Sequence, residues 1–215
     1  WLVNNPDAAL VSGQRIWWNV ERDERSVERF PILTGAQFAR EVAIRNVVGN
    51  PSMTMIRRRA IERAGLFDTS LRWGQDWEMF VRLSRIGRVG FLSEPVIIYR
   101  WHQSSLSHDR RWERLATIHA IARRAIEGYQ PRWRRPVLRV RAWSAIEFDR
   151  ASFLAKRRVP RGRKIRHAGL ALLSWPMDDT FDKIKLLGRS LMGEVTYQRS
   201  LAGVRNSVRR MRSLD

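Results

Sequence analysis

The sequence predicts an α/β protein that continues into a basic α-helical extension, and two observations support this division of the 215 residues. Short apolar runs bounded by turn residues alternate with helical patterns up to about residue 107, as in sheets covered by helices. Residues 1–107 carry 15 Arg against 11 acids, whereas residues 108–215 carry 26 Lys and Arg against 10 acids. We therefore predict a domain boundary near residue 107.

The N-terminal part begins with a predicted strand. The run from Ala8 to Gly13 is apolar and follows the turn residues Asn5-Pro6-Asp7, which is typical of a buried strand in a parallel sheet. Residues 14–30 are polar and charged around a pair of tryptophans, and we expect an irregular excursion there. The stretch from Thr34 to Arg45 has a weak helical period.

The pattern becomes more regular from Asn50 onward. A short helix is predicted over residues 57–64, because Gly65 stands where glycine commonly follows a helix C-cap. A second helix is predicted from Asp76 to Ile86, and apolar residues surround it, so we expect it to be buried. The predicted strands in this part are residues 51–56, 89–92 and 96–101.

Basic amphipathic helices are predicted beyond residue 107, over residues 109–128, 133–157, 164–174, 180–192 and 197–211. In the second of these, arginines are interleaved with apolar residues, namely Trp133, Val137, Leu138, Val140, Trp143 and Phe148. This pattern suits a helix that lies on an anionic membrane surface or contacts nucleic acid. A solvated surface biased toward arginine is the alternative, because Arg outnumbers Lys 37 to 4.

The sequence lacks cysteine, a membrane-spanning apolar run and a signal pattern, and each absence excludes a kind of site or segment from this chain. There is no cysteine, which excludes disulfides and thiolate metal sites from this chain. No apolar run approaches the roughly 20 residues that cross a bilayer. The chain begins at Trp1 without a signal pattern, and we expect it to be a piece of a longer, cytoplasmic polypeptide.

Four ordered segments carry a resemblance to a known family. They are Arg57-Arg58-Arg59, Gly65-Leu66-Phe67-Asp68, Trp73-Gly74-Gln75-Asp76-Trp77, and Tyr99-Arg100-Trp101-His102 with Ser105 after it. Together they resemble family 2 glycosyltransferases over about 60 residues, with a looser match back to Asn5. The resemblance implies that residues 1–107 are the C-terminal, acceptor-side half of a GT-A fold. It also implies transfer of a sugar from a nucleotide-sugar donor to an acceptor hydroxyl, with inversion.

The resemblance implies further partners. The acceptor would be a sugar or a lipid-linked sugar, in the synthesis of cell-surface polysaccharide or glycolipid at the inner face of the membrane. The family's divalent metal, Mg or Mn, is held by an Asp-x-Asp motif that would precede Trp1, since Asp7 matches the region after it. The main metal ligands are therefore expected outside this chain, and the chain alone is expected to be inactive.

Asp76 matches the second acid of the family's acidic pair, so the resemblance implies that it is the general base. An inverting transfer needs a carboxylate beside the acceptor hydroxyl to take its proton during attack on the anomeric carbon. The alternative is that Asp76 caps its helix and complements the helix dipole. Gln75 stands where the family usually has Glu, which keeps an acceptor-orienting hydrogen bond and removes the charge.

Three more residues complete the candidate site. His102 matches a histidine that contributes to the metal and diphosphate environment in some relatives, or it is a loop histidine bonded to backbone. Arg100 would stabilise the leaving nucleotide, or it is a surface arginine. Trp73 would stack on an acceptor sugar ring, or it belongs to the core. A second hypothesis treats the protein as a basic helical module without catalysis, in which residues 109–212 bind nucleic acid or an anionic membrane. Under the transferase hypothesis, nucleic acid is not expected as a partner.

Overall fold

The structure is a computed structural model that describes residues 1–102, 112–155, 159–175, 177 and 180–192. It confirms the mixed α/β class, and it forms two compact units, Trp1–Ala142 and Trp143–Asp215. The predicted boundary near residue 107 and the predicted helix over residues 197–211 lie outside the described residues. The elements are β1 (Ala8–Asn19), β2 (Glu24–Glu28), α1 (Gly35–Val42), a 3-10 helix (Pro51–Met53), β3 (Thr54–Ile56), α2 (Arg58–Ala64), α3 (Gln75–Leu83), β4 (Arg88–Trp101), α4 (Trp112–Glu127), a second 3-10 helix (Arg132–Arg134), α5 (Arg135–Ala155), α6 (Arg161–Ser174) and α7 (Thr180–Met192).

Strand β1 organises the sheet of the first unit. Its second half pairs antiparallel with β2, its first half pairs antiparallel with β3, and β4 pairs with it in parallel along its length. The segment Ala8–Gln14 is buried, which agrees with the apolar run that predicted a strand there. Because β1 is the common partner, it fixes the positions of the loops that follow β3 and β4.

The irregular excursion predicted over residues 14–30 is wrong. Strand β1 continues to Asn19, and β2 returns beside it as a hairpin. Long polar and aromatic side chains cover this end of the strand instead of an apolar alternation. The Arg15 guanidinium lies 4.6 Å from the centre of the Tyr99 ring and pairs with Glu28 at 2.7 Å. Because these contacts are made across strands, the local pattern did not reveal them.

Strand β4 also differs from the prediction of two short strands. Both predicted segments pair with β1, and the register moves from Phe91 opposite Ser12 to Pro95 opposite Gln14. The extra residues form a bulge, since proline lacks the N–H that a regular ladder needs. Of the strand predicted over residues 51–56, only Thr54–Ile56 is extended, because a 3-10 turn takes up the first three residues.

Helix α3 is the buried helix that the sequence predicts, and it anchors the candidate site. Its buried side chains are Trp77, Met79, Phe80, Val81 and Leu83. The Trp77 indole N–H donates a hydrogen bond of 2.7 Å to the carbonyl of Val42, the last residue of α1. This bond and the apolar contacts hold the start of α3 firmly in the core.

The second unit contains the C-terminal part of α5 together with α6 and α7. Ala151, Ala168 and Leu186 form its apolar core. The buried Glu147 carboxylate pairs with Arg150 and contacts Nδ1 of His167. Among the described helices, none is long and apolar enough to cross a membrane.

Candidate active site

Asp76 is positioned by the turn that precedes α3. Gly74 has a φ of +75°, a conformation that favours glycine, and a Cβ there would lie 2.8 Å from Ile121 Cδ1. The turn places Asp76 in the first helical turn, where its Oδ1 accepts a hydrogen bond of 2.7 Å from the backbone N–H of Trp77. That N–H belongs to the helix end, where the backbone donors have no partner within the helix. Gly74 is the N-cap residue of α3 and no side chain caps the helix, so Asp76 is not its cap. As an acid in the first turn, Asp76 is placed to complement the helix dipole, which is the other part of the alternative prediction.

The pKa of the Asp76 carboxyl is also displaced from its ordinary value. Burial raises the pKa of the Asp76 carboxyl above its ordinary value, against the lowering effect of the Trp77 N–H, its own backbone N–H and the charge of Arg114. A raised pKa brings the basicity of a carboxylate closer to that needed for proton transfer near neutral pH. Perturbed pKa values of this kind cluster at functional sites, where a general base benefits from them.

Asp76 and Gln75 line the same open cavity, which has a volume of about 490 Å³. The Gln75 amide donates a hydrogen bond of 3.1 Å to the carbonyl of Arg72. The remaining lining residues are Pro51, Phe67, Asp68, Thr69 and Leu71. The cavity thus combines two carboxyl groups, an amide and an aromatic ring, which are groups suited to a hydroxylated ligand.

Asp68 is a second carboxylate in this cavity, and the sequence analysis gave it no role. Its Oδ1 accepts hydrogen bonds from the hydroxyl of Ser70 at 2.6 Å and from the Ser70 N–H at 2.9 Å. These bonds hold the pKa of Asp68 below its ordinary value. The pKa values of Asp68 and Asp76 are thus moved in opposite directions, a pattern found where two carboxyls have separate acid–base roles. The Asp-x-Ser spacing, typical of a side-chain turn, is the signal that could have revealed it.

Arg82 holds the cavity loop, which we define as residues 65–71 between α2 and α3, against α3. Its guanidinium pairs with Glu78 at 2.8 Å and donates to three successive carbonyls, those of Ala64, Gly65 and Leu66. These carbonyls lie at the end of α2, where Gly65 has a φ of +78°. Because the loop that lines the cavity begins there, Arg82 is a positioning residue for it.

Arg100 and His102 line a second cavity, of about 650 Å³. The described residues around it contribute no carboxylate, and Arg100 makes no ion pair with any described residue. The Asn50 Oδ1 atom beside this cavity is buried and lacks a hydrogen-bond partner in the described part of the chain. The other lining residues are Trp18, Val20, Ser52, Ile97, Ile98 and Tyr99.

The two cavities adjoin the same short segment. Pro51 lines the first, and its neighbours Asn50 and Ser52 line the second. The structure therefore brings Asp76 and Gln75 together, and it brings Arg100 and His102 together in a neighbouring cavity.

Trp73 lines neither cavity. It is half-buried, and the Arg72 guanidinium lies 4.9 Å from the centre of its ring. Its contact with a sugar ring stays a prediction, and Phe67 is the aromatic residue that lines the Asp76 cavity.

No protein-family model matches the chain, and a search of curated proteins finds no match to it. The case for a function therefore depends on the residues that carry the resemblance and on the geometry of the two cavities.

Proposed function

We propose that this chain is the acceptor side of a family 2 glycosyltransferase of GT-A fold, and that Asp76 is its general base. The observation that carries the proposal is the Asp76 carboxyl itself. It lies at the rigid start of a buried helix, lines a cavity with Gln75, and has a pKa raised by burial. A carboxylate held in this way can receive a proton from a hydroxyl group in the cavity.

In the proposed reaction the acceptor hydroxyl enters the Asp76 cavity. Asp76 takes the hydroxyl proton as the oxygen forms a bond to the anomeric carbon of the donor sugar. The bond from that carbon to the nucleotide phosphate breaks, the nucleoside diphosphate leaves, and the anomeric configuration inverts. Gln75 would orient the acceptor through its side-chain amide, while Asp68 would accept a hydrogen bond from a second hydroxyl.

The neighbouring cavity would receive the phosphate end of the donor. Arg100 supplies a guanidinium with no ion pair among the described residues, and such a charge can stabilise the negative charge that develops on a leaving diphosphate. The cavity also offers the indole of Trp18 as a flat surface. Its position next to Pro51 would put the two substrates beside each other.

The divalent metal implied by the resemblance, Mg or Mn, has no ligand set here. Within the described ranges no group of three or more His, Asp or Glu side chains could hold a metal. The residues described do not fit a metal site by themselves, and we derive no step through the metal. His102 as a single contributing ligand stays a prediction.

The test uses the full-length polypeptide, because the proposal places the donor-binding residues before Trp1. It would be incubated with a panel of nucleotide-sugars and with sugar or polyprenyl-linked acceptors, and released nucleoside diphosphate would be measured. We expect acceptor-dependent release with one donor, and NMR of the product should show an inverted anomeric centre. Failure to bind or consume any nucleotide-sugar would overturn the proposal. Such a failure would favour the alternative, a binding module without catalysis.

A further inference from the structure

The segment Gly128–Ile146 contains five arginines and no Asp or Glu. Two of the five have partners within the first unit. Arg141 pairs with Glu41 at 2.8 Å, and Arg135 donates to the carbonyl of Tyr129. The other three, which have no ion pair with any residue that the structure describes, are Arg132, Arg134 and Arg139. The segment therefore carries a positive charge that the described residues do not neutralise.

Apolar side chains accompany these arginines on the surface. Trp133 is 71% exposed, Val137 is 49% exposed and Val140 is 43% exposed. Trp133 lies in the 3-10 helix that leads into α5, and Val137 and Val140, three residues apart, lie on one side of α5. Leu138 and Ala142 on the same helix are buried, so α5 is fixed to its unit by a different face. The Arg134 guanidinium lies 4.7 Å from the centre of the Trp133 ring, so charge and aromatic surface are presented together.

We propose that this docking face, made of Arg132, Trp133, Arg134, Val137, Arg139 and Val140, binds the surface of an anionic lipid bilayer. Arginines can pair with lipid phosphates, and an indole prefers the region between headgroups and hydrocarbon. The two valines then leave water for the edge of the acyl region. Charge complementarity thus selects an anionic bilayer, and the exposed apolar side chains require a partner with an apolar interior.

A nucleic acid is the less suitable partner for the same face. Phosphates would satisfy the arginines, and a base could stack on Trp133. However, Val137 and Val140 would then remain in contact with water or phosphate, so these two side chains would contribute nothing to the binding free energy. A bilayer accounts for all six residues of the docking face.

The inference goes beyond the proposed transferase, because binding to lipid needs neither donor nor acceptor. It would be measured on the 215-residue chain by co-sedimentation with vesicles of phosphatidylcholine alone, and of phosphatidylcholine with 40% phosphatidylglycerol. We expect binding to the anionic vesicles only, and weaker binding as the salt concentration rises. A nucleotide-sugar assay that fails would leave this result unchanged.

Charge-matched variants distinguish binding through the docking face from non-specific attraction by the net positive charge of the chain. R132Q/R134Q/R139Q should weaken vesicle binding roughly 100-fold, because each arginine near an anionic surface contributes about fivefold. R58Q/R63Q/R123Q removes the same formal charge from exposed positions elsewhere and should change binding far less. R132K/R134K/R139K should keep most of the binding, since lipid attraction depends on charge.

Trp133→Ala tests the apolar part of the face. It should weaken vesicle binding about tenfold, because the indole is the largest apolar side chain in the face. Circular dichroism of each variant shows whether the fold is kept, and we expect these substitutions to leave the spectrum unchanged. Equal binding of both glutamine triple variants would overturn the proposal. So would retained vesicle binding by Trp133→Ala, or binding of duplex DNA that vesicles do not compete away.

Discussion

Arg82→Ala tests the mechanism that holds the cavity loop in place. In the wild-type chain, the Arg82 guanidinium bonds both oxygens of Glu78 and the carbonyls of Ala64, Gly65 and Leu66. The substitution removes all of these bonds at once. The loop that presents Phe67 and Asp68 to the cavity would then lose its attachment to α3.

The size of the effect follows from the surroundings of each bond. The pair with Glu78 is partly exposed, at 25% and 22% side-chain exposure, so it contributes only about 0.5 kcal/mol. The carbonyls of Gly65 and Leu66 are in exposed contacts and can bind water instead, whereas the contact with Ala64 is partly buried. With about 0.5–1.5 kcal/mol for each hydrogen bond to a carbonyl, the variant should lose roughly 2–3 kcal/mol.

The assay is denaturant unfolding of the chain, combined with hydrogen exchange of the amides from residue 64 to residue 71. The exchange measurement reports on the loop itself, independently of the second unit. Arg58→Ala is the matched control, because Arg58 makes the same type of pair with Glu62 but is 91% exposed. We expect less than about 0.5 kcal/mol for the control. If Arg82→Ala cost no more than the control, or left exchange of the loop unchanged, the positioning role would be refuted.

Three further predictions concern α3 and the loop. Burial raises the pKa of Asp76, so the folded chain loses stability as the pH rises through that pKa and the buried carboxyl ionises. Asp76→Asn removes this ionisation and should therefore raise the melting temperature at pH 7, with a smaller increase near pH 4. Ser70→Ala should raise the pKa of Asp68 toward its ordinary value, as followed by NMR titration of the carboxyl carbon. Trp77→Phe should cost about 1–3 kcal/mol in denaturant unfolding, because the buried carbonyl of Val42 loses its donor.

Part of the fold could be predicted from local sequence patterns. Helix α2 was predictable because Gly65 follows it. Helix α3 was predictable because apolar residues surround it, although it ends at Leu83 and not at the predicted Ile86. The hairpin of β1 and β2 was not, because pairs such as Arg25 with Trp18 form only after the strands meet. That β4 is one continuous strand was not predictable for a similar reason. In the sequence Pro95 looks like the end of a strand, and only the pairing of β1 with residues on both sides of it shows that the strand continues.

The site shows the same limit. The resemblance predicts Gln75 and Asp76 as site residues, and the two line one cavity. The separation of Arg100 and His102 into a neighbouring cavity depends on the path of β4, which no local pattern reveals. The role of Arg82 was equally hidden, because its carbonyl partners lie 16 to 18 residues away in the chain.

The rate of sugar transfer by Asp76→Asn tests the central claim most directly. In the full-length polypeptide we expect this variant to lose roughly 10²–10⁴-fold in transfer, which is the usual contribution of a general base, while its affinity for the donor is retained. Glu62→Gln is the control, because it removes an exposed carboxylate that lines neither cavity, and it should retain the transfer rate. Full transfer activity in Asp76→Asn would contradict the assignment of Asp76 as the base.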